Sequence, residues 1–165
     1  MVSAFLKRLM FARQFDIDDG KITILGENLI MMPSELLLEL QEIDPKKSYD
    51  FAKSQTTGLI ERYFKRIGSS FTRSDSVVCD IFNNFGLGKL NILENAENQS
   101  VVSVDESTIA RNYLKKNKEF TDKPVCHMTS GVLAGMFSFL KKKDVNSTET
   151  ECHAKRDESC KFVIE

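Results

Sequence analysis

A chain of 165 residues with 41% hydrophobic and 28% charged residues has the make-up of an ordinary globular domain, and it can bury a sizeable core without a metal to hold it together. Its 23 Lys and Arg stand against 24 Asp and Glu, a net charge of −1, so no global field draws it to nucleic acid or to an anionic membrane surface. No apolar run reaches the roughly 18 residues of a membrane span. Lys7, Arg8 and Arg13 are spread through the first residues, unlike the basic-then-apolar order of a signal peptide. A cytoplasmic protein is therefore expected, with its four cysteines as reduced thiols.

In chain order, residues 3–12 read as a short helix. Residues 15–24 alternate around Asp19-Gly20, a strong hairpin signal, and Asn28–Met32 reads as a further strand. Pro33 suits the first turn of a helix carrying Leu37, Leu38, Leu40 and Ile43. Asp44-Pro45 breaks that helix and opens the next, over 46–67, ending at Gly68. Ser74 caps a fourth helix holding Val77, Val78, Ile81, Phe82 and Phe85, with Gly86 after it. Gly86-Leu87-Gly88-Lys89 lacks the full phosphate-loop pattern and reads as helix cap and strand entry.

Lys89–Glu94 and Ser100–Val104 read as antiparallel partners, followed by a helix over 107–116 and another over 129–142. The basic clusters at 115–116 and 141–143 sit at helix C-termini, where the macrodipole favours them. Two strands, near 147–154 and 159–164, close the chain. Helices and antiparallel hairpins intermix, so the expected class is α+β, an antiparallel sheet packed against helices. With no linker or repeat in the sequence, one domain over 1–165 is expected.

Three of the four cysteines fall in the last 40 residues. Cys152 and Cys160 stand equidistant from Arg156, so an antiparallel turn centred there sets them opposite each other on one face, Cβ atoms ~4.5–5.5 Å apart. Both thiols can then reach one ion. Cys126 follows Pro124-Val125 and precedes a helix, where the dipole favours a thiolate. Glu149 lies three positions before Cys152, which in a regular strand puts it on the other face; only a bulge or an irregular strand would bring it in. The residues alone leave alternatives open: buried thiols, a Cys152–Cys160 disulfide, or His127 or His153 as a ligand. Cys79 sits at apolar helical spacing and reads as core.

The run Pro124-Val125-Cys126-His127-Met128-Thr129-Ser130-Gly131, then Glu149-Thr150-Glu151-Cys152 and Asp157-Glu158-Ser159-Cys160-Lys161-Phe162-Val163-Ile164, resembles the 4-vinyl reductase domain family. The likeness is strongest over 74–165 and looser over 1–73. It implies a fold like that of TRAPP vesicle-transport subunits and haem NO-sensor domains. It also implies a zinc site like that of phenol-responsive bacterial regulators, in which a Cys, a Glu and two Cys bind the ion. Carried onto this chain, the ligands are Cys126, Glu149, Cys152 and Cys160, and Glu149 enters the set on this ground. Where the family usually has Gly-Asp in the hairpin turn, this chain has Arg156-Asp157. No ATPase or helix-turn-helix output region is evident.

Three thiolates and a carboxylate fill tetrahedral zinc and leave no open position, as in structural sites. Lys155, Arg156 and backbone N–H groups are candidates to moderate the surplus negative charge. Gly131 and Gly135 on one helix allow close approach of another backbone or a ligand, and Phe51, Phe64, Phe82, Phe85, Phe137 and Phe139 are either core or pocket lining. The expected function is a zinc-containing, sensor-type domain that binds a small hydrophobic or aromatic molecule and forms a homodimer. The alternatives are a reductase or accessory subunit for tetrapyrrole vinyl groups, and a protein–protein scaffold. No catalytic residue is assigned.

Overall fold

The computed structural model describes residues 4–24, 26–67 and 75–165. The first helix, α1 (Ala4–Phe11), leads into a three-stranded antiparallel sheet, β1 (Phe15–Asp18), β2 (Lys21–Ile24) and β3 (Glu27–Leu29). Asp18 pairs with Lys21 across Asp19-Gly20, and both turn residues have positive φ, 43° and 81°. This is the left-handed pair that a tight hairpin turn requires. The expected strand over 28–32 shifts to Glu27–Leu29, because residues 30–32 run extended into Pro33 without a ladder partner.

Two helices follow, α2 (Ser34–Ile43) and α3 (Pro45–Ile67), divided at Asp44-Pro45 as expected. Pro33 stands just ahead of α2 rather than in its first turn. Next come α4 (Asp75–Asn84), β4 (Lys89–Asn95), β5 (Ser100–Asp105), α5 (Thr108–Asn117) and α6 (His127–Lys141). Gly68 and Ser74, the expected end of α3 and cap of α4, lie outside the described residues. Phe85 falls just past α4, its N–H donating to Phe82 O. The chain closes with β6 (Ser147–Glu151), a 3-10 turn (His153–Lys155) and β7 (Cys160–Ile164).

The second sheet is antiparallel with strand order β4-β5-β7-β6. The class is α+β. Inward positions Cys160, Phe162 and Ile164 of β7 and Val102 and Val104 of β5 are fully buried, the alternation of a sheet with one face on the core. Helix α6 is buried nearly all round, from Thr129 to Phe139, because it is sandwiched between the β6–β7 side of this sheet and α3. A helix with no solvent face reads as apolar throughout, as its sequence does. Phe82 and Phe137 are fully buried core, Phe64 stacks on Phe139 at 4.6 Å, and Phe51 is exposed. Among the described residues this aromatic set therefore builds core rather than a pocket wall.

Helices α3 and α6 run parallel: Gly131 faces Tyr49 and Ala52, Gly135 faces Lys53 and Thr56, and Phe139 meets Phe64. The two glycines set the helix separation. A Cβ at Gly131 would stand 2.4 Å from Tyr49 O, and one at Gly135 2.6 Å from Lys53 O. Both obstacles are backbone, which cannot turn aside. Gly131→Ala therefore pushes α3 outward. We expect it to lower stability by about 1–3 kcal/mol, the usual cost of overpacking, read as a drop in the thermal unfolding midpoint; an unchanged midpoint would contradict the close approach.

Candidate metal centre

Each of the four acidic groups singled out near the C-terminus is delivered by a different local device. Cys126 holds the N-cap position of α6 (φ −92°, ψ 48°). Cys160 is the first residue of β7. Cys152 lies just past β6, where Asp157 Oδ2 accepts from its N–H (2.7 Å) and Cys152 O accepts from Lys155 N–H (2.7 Å). These bonds end the strand at Glu151, three residues before the expected 154. Glu149 pairs with Phe162, and a register shift between Glu149 and Glu151 then moves Glu151 opposite Lys161. This bulge is the irregularity that strand parity demanded. It puts Glu149 and Cys152 on the same side of the hairpin.

The four donor atoms lie within 4.8 Å of one another. Cys126 Sγ is 3.7 Å from Cys160 Sγ, and Cys160 Sγ is 3.9 Å from Cys152 Sγ. Thiolates held at 2.3 Å around one tetrahedral ion would stand about 3.8 Å apart. The three thiols are fully buried and Glu149 is only 9% exposed. Glu149 Oε2 accepts from Cys126 N–H at 2.8 Å, whereas Oε1 is buried with no partner. A buried orphan oxygen is costly unless something else meets it, so both the spacing and the unmet oxygen fit a cation. The cluster lies close enough to hold a metal ion.

Every donor also receives a hydrogen bond from outside. Ser107 Oγ, which accepts from Ala110 N–H as the α5 cap, lies 3.4 Å from Cys126 Sγ. Val125 N–H serves Cys152 Sγ, and His153 N–H donates to Cys160 Sγ at 3.4 Å. Neutral donors thus moderate the charge. Arg156 instead stacks on Phe120, 4.9 Å from the ring centre. It holds φ 79°, the left-handed conformation a glycine adopts readily, so the hairpin keeps its turn shape without one.

Two candidate ligands stay out of the cluster. His153 Nδ1 lies 3.2 Å from Asp157 O, and His127 is half-buried, its basicity lowered by burial. Cys79 is half-buried on α4 against the core, its thiol pushed up by burial and by Asp75 and Asp80. Two supporting residues escaped the sequence reading, Ser107 and Gln41. Gln41 had a signal: a polar residue three positions after Leu38, on the buried face of α2. Cys126 and Glu149 also border a groove of about 630 Å³ that opens between the start of α3 and β6.

Residues 101–165 match the family model of the vinyl-4-reductase domain. All four donors fall within that match. An uncharacterized protein of Methanocaldococcus jannaschii, MJ0150, is 26% identical over 118 residues, or 70% of this chain; the match spans 61% of that relative's length. Among solved structures, the phenol-responsive sensory domain of the transcription activator PoxR, crystallised with phenol, aligns at TM-score 0.78 with 16% identity. The alignment covers 99% of this chain and 90% of that one. A vinyl-4-reductase family protein of Methanocaldococcus jannaschii aligns at 0.60, with 14% identity over 83% of each chain. A trafficking protein particle complex subunit 3 of Naegleria fowleri, covalently bound to palmitic acid, aligns at 0.54 with 15% identity over 80% of this chain and 93% of that one. At such identities these likenesses establish a shared fold, and the expected likeness to TRAPP subunits holds.

Without a cation the acidic groups compete. Thiols of Cys126 and Cys160 donate to Cys152 and hold it far below the usual thiol range, while Cys126 is pushed well up by bonding to Cys152 and Cys160 and by burial. Burial, then the Cys152 charge, raises the Glu149 carboxyl to about 8. Its folded value thus exceeds its unfolded one, so its contribution to the metal-free fold is full below about pH 4.5 and lost as pH rises toward 8. We expect the melting temperature of metal-free protein to fall over that window, and Glu149→Gln to flatten the fall; an equally steep fall in the variant would remove Glu149 as its source.

Proposed function

We propose that the protein is a zinc-stabilised, sensor-type domain that binds a small hydrophobic or aromatic molecule, with Cys126, Glu149, Cys152 and Cys160 as the zinc ligands. The observation that carries the reading is the buried three-thiol, one-carboxylate cluster with tetrahedral spacing. Sulfur-rich donor sets select zinc among the common divalent ions, and a set of four protein ligands closes a structural site. Such an ion ties the β6–β7 hairpin to the start of α6. Its binding energy then becomes folding energy. The full-length likeness to a sensory domain crystallised with phenol supports the small-molecule part.

A further observation favours a ligand with one polar group. Tyr63 is 1% exposed, its hydroxyl has no partner among the described residues, and burial lifts its acidity constant to about 12. A phenol-like molecule would give that hydroxyl a partner inside apolar surroundings. The ligand seat proposed is the apolar interior between the helices and the sheet.

A second reading, protein contact, has its own support. Ile30, Met31, Leu36, Leu40 and Ile43 are 45–81% exposed, and the last three form one stripe on the outer side of α2. An exposed apolar strip of this kind marks an interaction surface. On our reading it is the homodimer face.

Native mass spectrometry of protein purified without added metal tests these points together. One zinc per chain in a two-chain assembly is expected, with zinc lost in Cys152→Ser and in Cys160→Ser and retained in Cys79→Ser. Full retention in both of the first two variants would sink the ligand assignment. Calorimetry with phenol and alkyl phenols is expected to show binding that weakens several-fold in Tyr63→Phe; no heat with any of them would remove the phenol-type ligand.

A further inference from the structure

Gln41 is 1% exposed on α2, and its side-chain amide reaches 84 residues along the chain to Val125. Its Nε2 donates to Val125 O at 2.5 Å, and its Oε1 accepts from Met128 N–H at 3.1 Å. The two bonds straddle Cys126. Val125 O and Cys126 N–H belong to one peptide plane. That plane accepts from Gln41 at its oxygen and donates to Glu149 Oε2 at its nitrogen. Meanwhile Val125 N–H serves Cys152 Sγ. A single buried amide on α2 therefore fixes the peptide that orients Glu149, the entry of Cys126 into α6, and the donor to Cys152.

We infer that Gln41 is a positioning residue of the metal centre, and that metal loading and the seating of α2 are coupled through the Val125–Cys126 peptide. This rests on the metal reading given above. Gln41 is in none of the donor positions; it acts through backbone, as outer hydrogen-bond partners of metal ligands do. Bonds in series polarise one another, so an ion that fixes Glu149 strengthens the Cys126 N–H bond and, across the same amide, the bond from Gln41. Conversely, an apolar residue at 41 leaves Val125 O and Met128 N–H buried without partners and the peptide free to tilt. Leu38, the other buried residue of α2, offers no such bonds.

The test uses the full chain with Co2+ as a spectroscopic probe and Zn2+ in chelator competition. Wild type is expected to give tetrahedral d–d and thiolate charge-transfer bands at one Co2+ per chain. Gln41→Leu, similar in volume, is expected to weaken Zn2+ binding about 10- to 100-fold and to shift the d–d bands. Leu38→Val, which loosens the same helix without touching an amide, is expected to leave both unchanged. Equal affinity and spectrum in Gln41→Leu would overturn the inference, and so would the same weakening in Leu38→Val. A wild type that takes up neither metal would overturn the metal reading itself.

The reciprocal measurement needs no variant. On adding Zn2+, hydrogen exchange is expected to slow more in α2 than in α4, which contributes nothing to the cluster. Equal slowing, or none in α2, would also overturn the coupling.

Discussion

Three thiols and a carboxyl packed into one dry volume cannot all carry charge unless a cation lies among them, and the C-terminal half of the molecule is arranged around that constraint. The cost of ionising four buried groups side by side is many times any single hydrogen bond. Local backbone choices line up with it. A bulge brings Glu149 round to the thiol side, Asp157 bends the chain at Cys152, and the cap of α6 is a cysteine rather than the usual Ser or Asp. One outside donor per ligand spreads the remaining negative charge over neutral dipoles, which cost less to bury than a lysine would.

The second constraint is the distance between two helices. Because α6 is buried between α3 and the sheet, its own polar groups must be met inside the protein. Ser130 Oγ donates to Ser147 O, and Ser138 Oγ accepts from Val145 N–H. Tyr49 OH accepts from Ser147 N–H, on the outer side of edge strand β6. The small residues of α6 thus do two jobs: glycines admit the backbone of α3, and serines stitch the helix to β6. The metal cluster and the helix pair share α6, whose first residue follows Cys126, so packing and coordination hold each other in place.

Much of this was legible in the residues. The Asp19-Gly20 hairpin, the break at Asp44-Pro45 and the strand pair at 89–105 all follow from local chemistry that tertiary contacts leave intact. Pairing Cys152 with Cys160 was readable because a hairpin has a nearly fixed register. Glu149 was not readable from spacing, since a bulge breaks the alternation on which face assignment depends; the family likeness supplied it. Gln41 and Ser107 escaped because their bonds reach Val125 and Cys126 from distant segments, and nothing in a linear pattern reports an 84-residue contact. The expected aromatic pocket failed among the described residues for a related reason: helical spacing of Phe82 and Phe137 marks a buried face but cannot say whether space lies behind it.

Strand order β4-β5-β7-β6 places β7 inside the sheet although it is the last strand made. On the ribosome, β5 therefore waits with one open edge while about 55 more residues are added, roughly 3 to 11 s at ordinary elongation rates. During that interval Val102 and Val104 lack their neighbours on β7, and an open, apolar strand edge invites pairing with other chains. Cys160 arrives with β7 itself, so the emergence of one five-residue segment closes the sheet and completes the ligand set together. The nascent chain has no partly built centre of four donors to guard, only an unpaired strand edge and thiols still exposed to the cell.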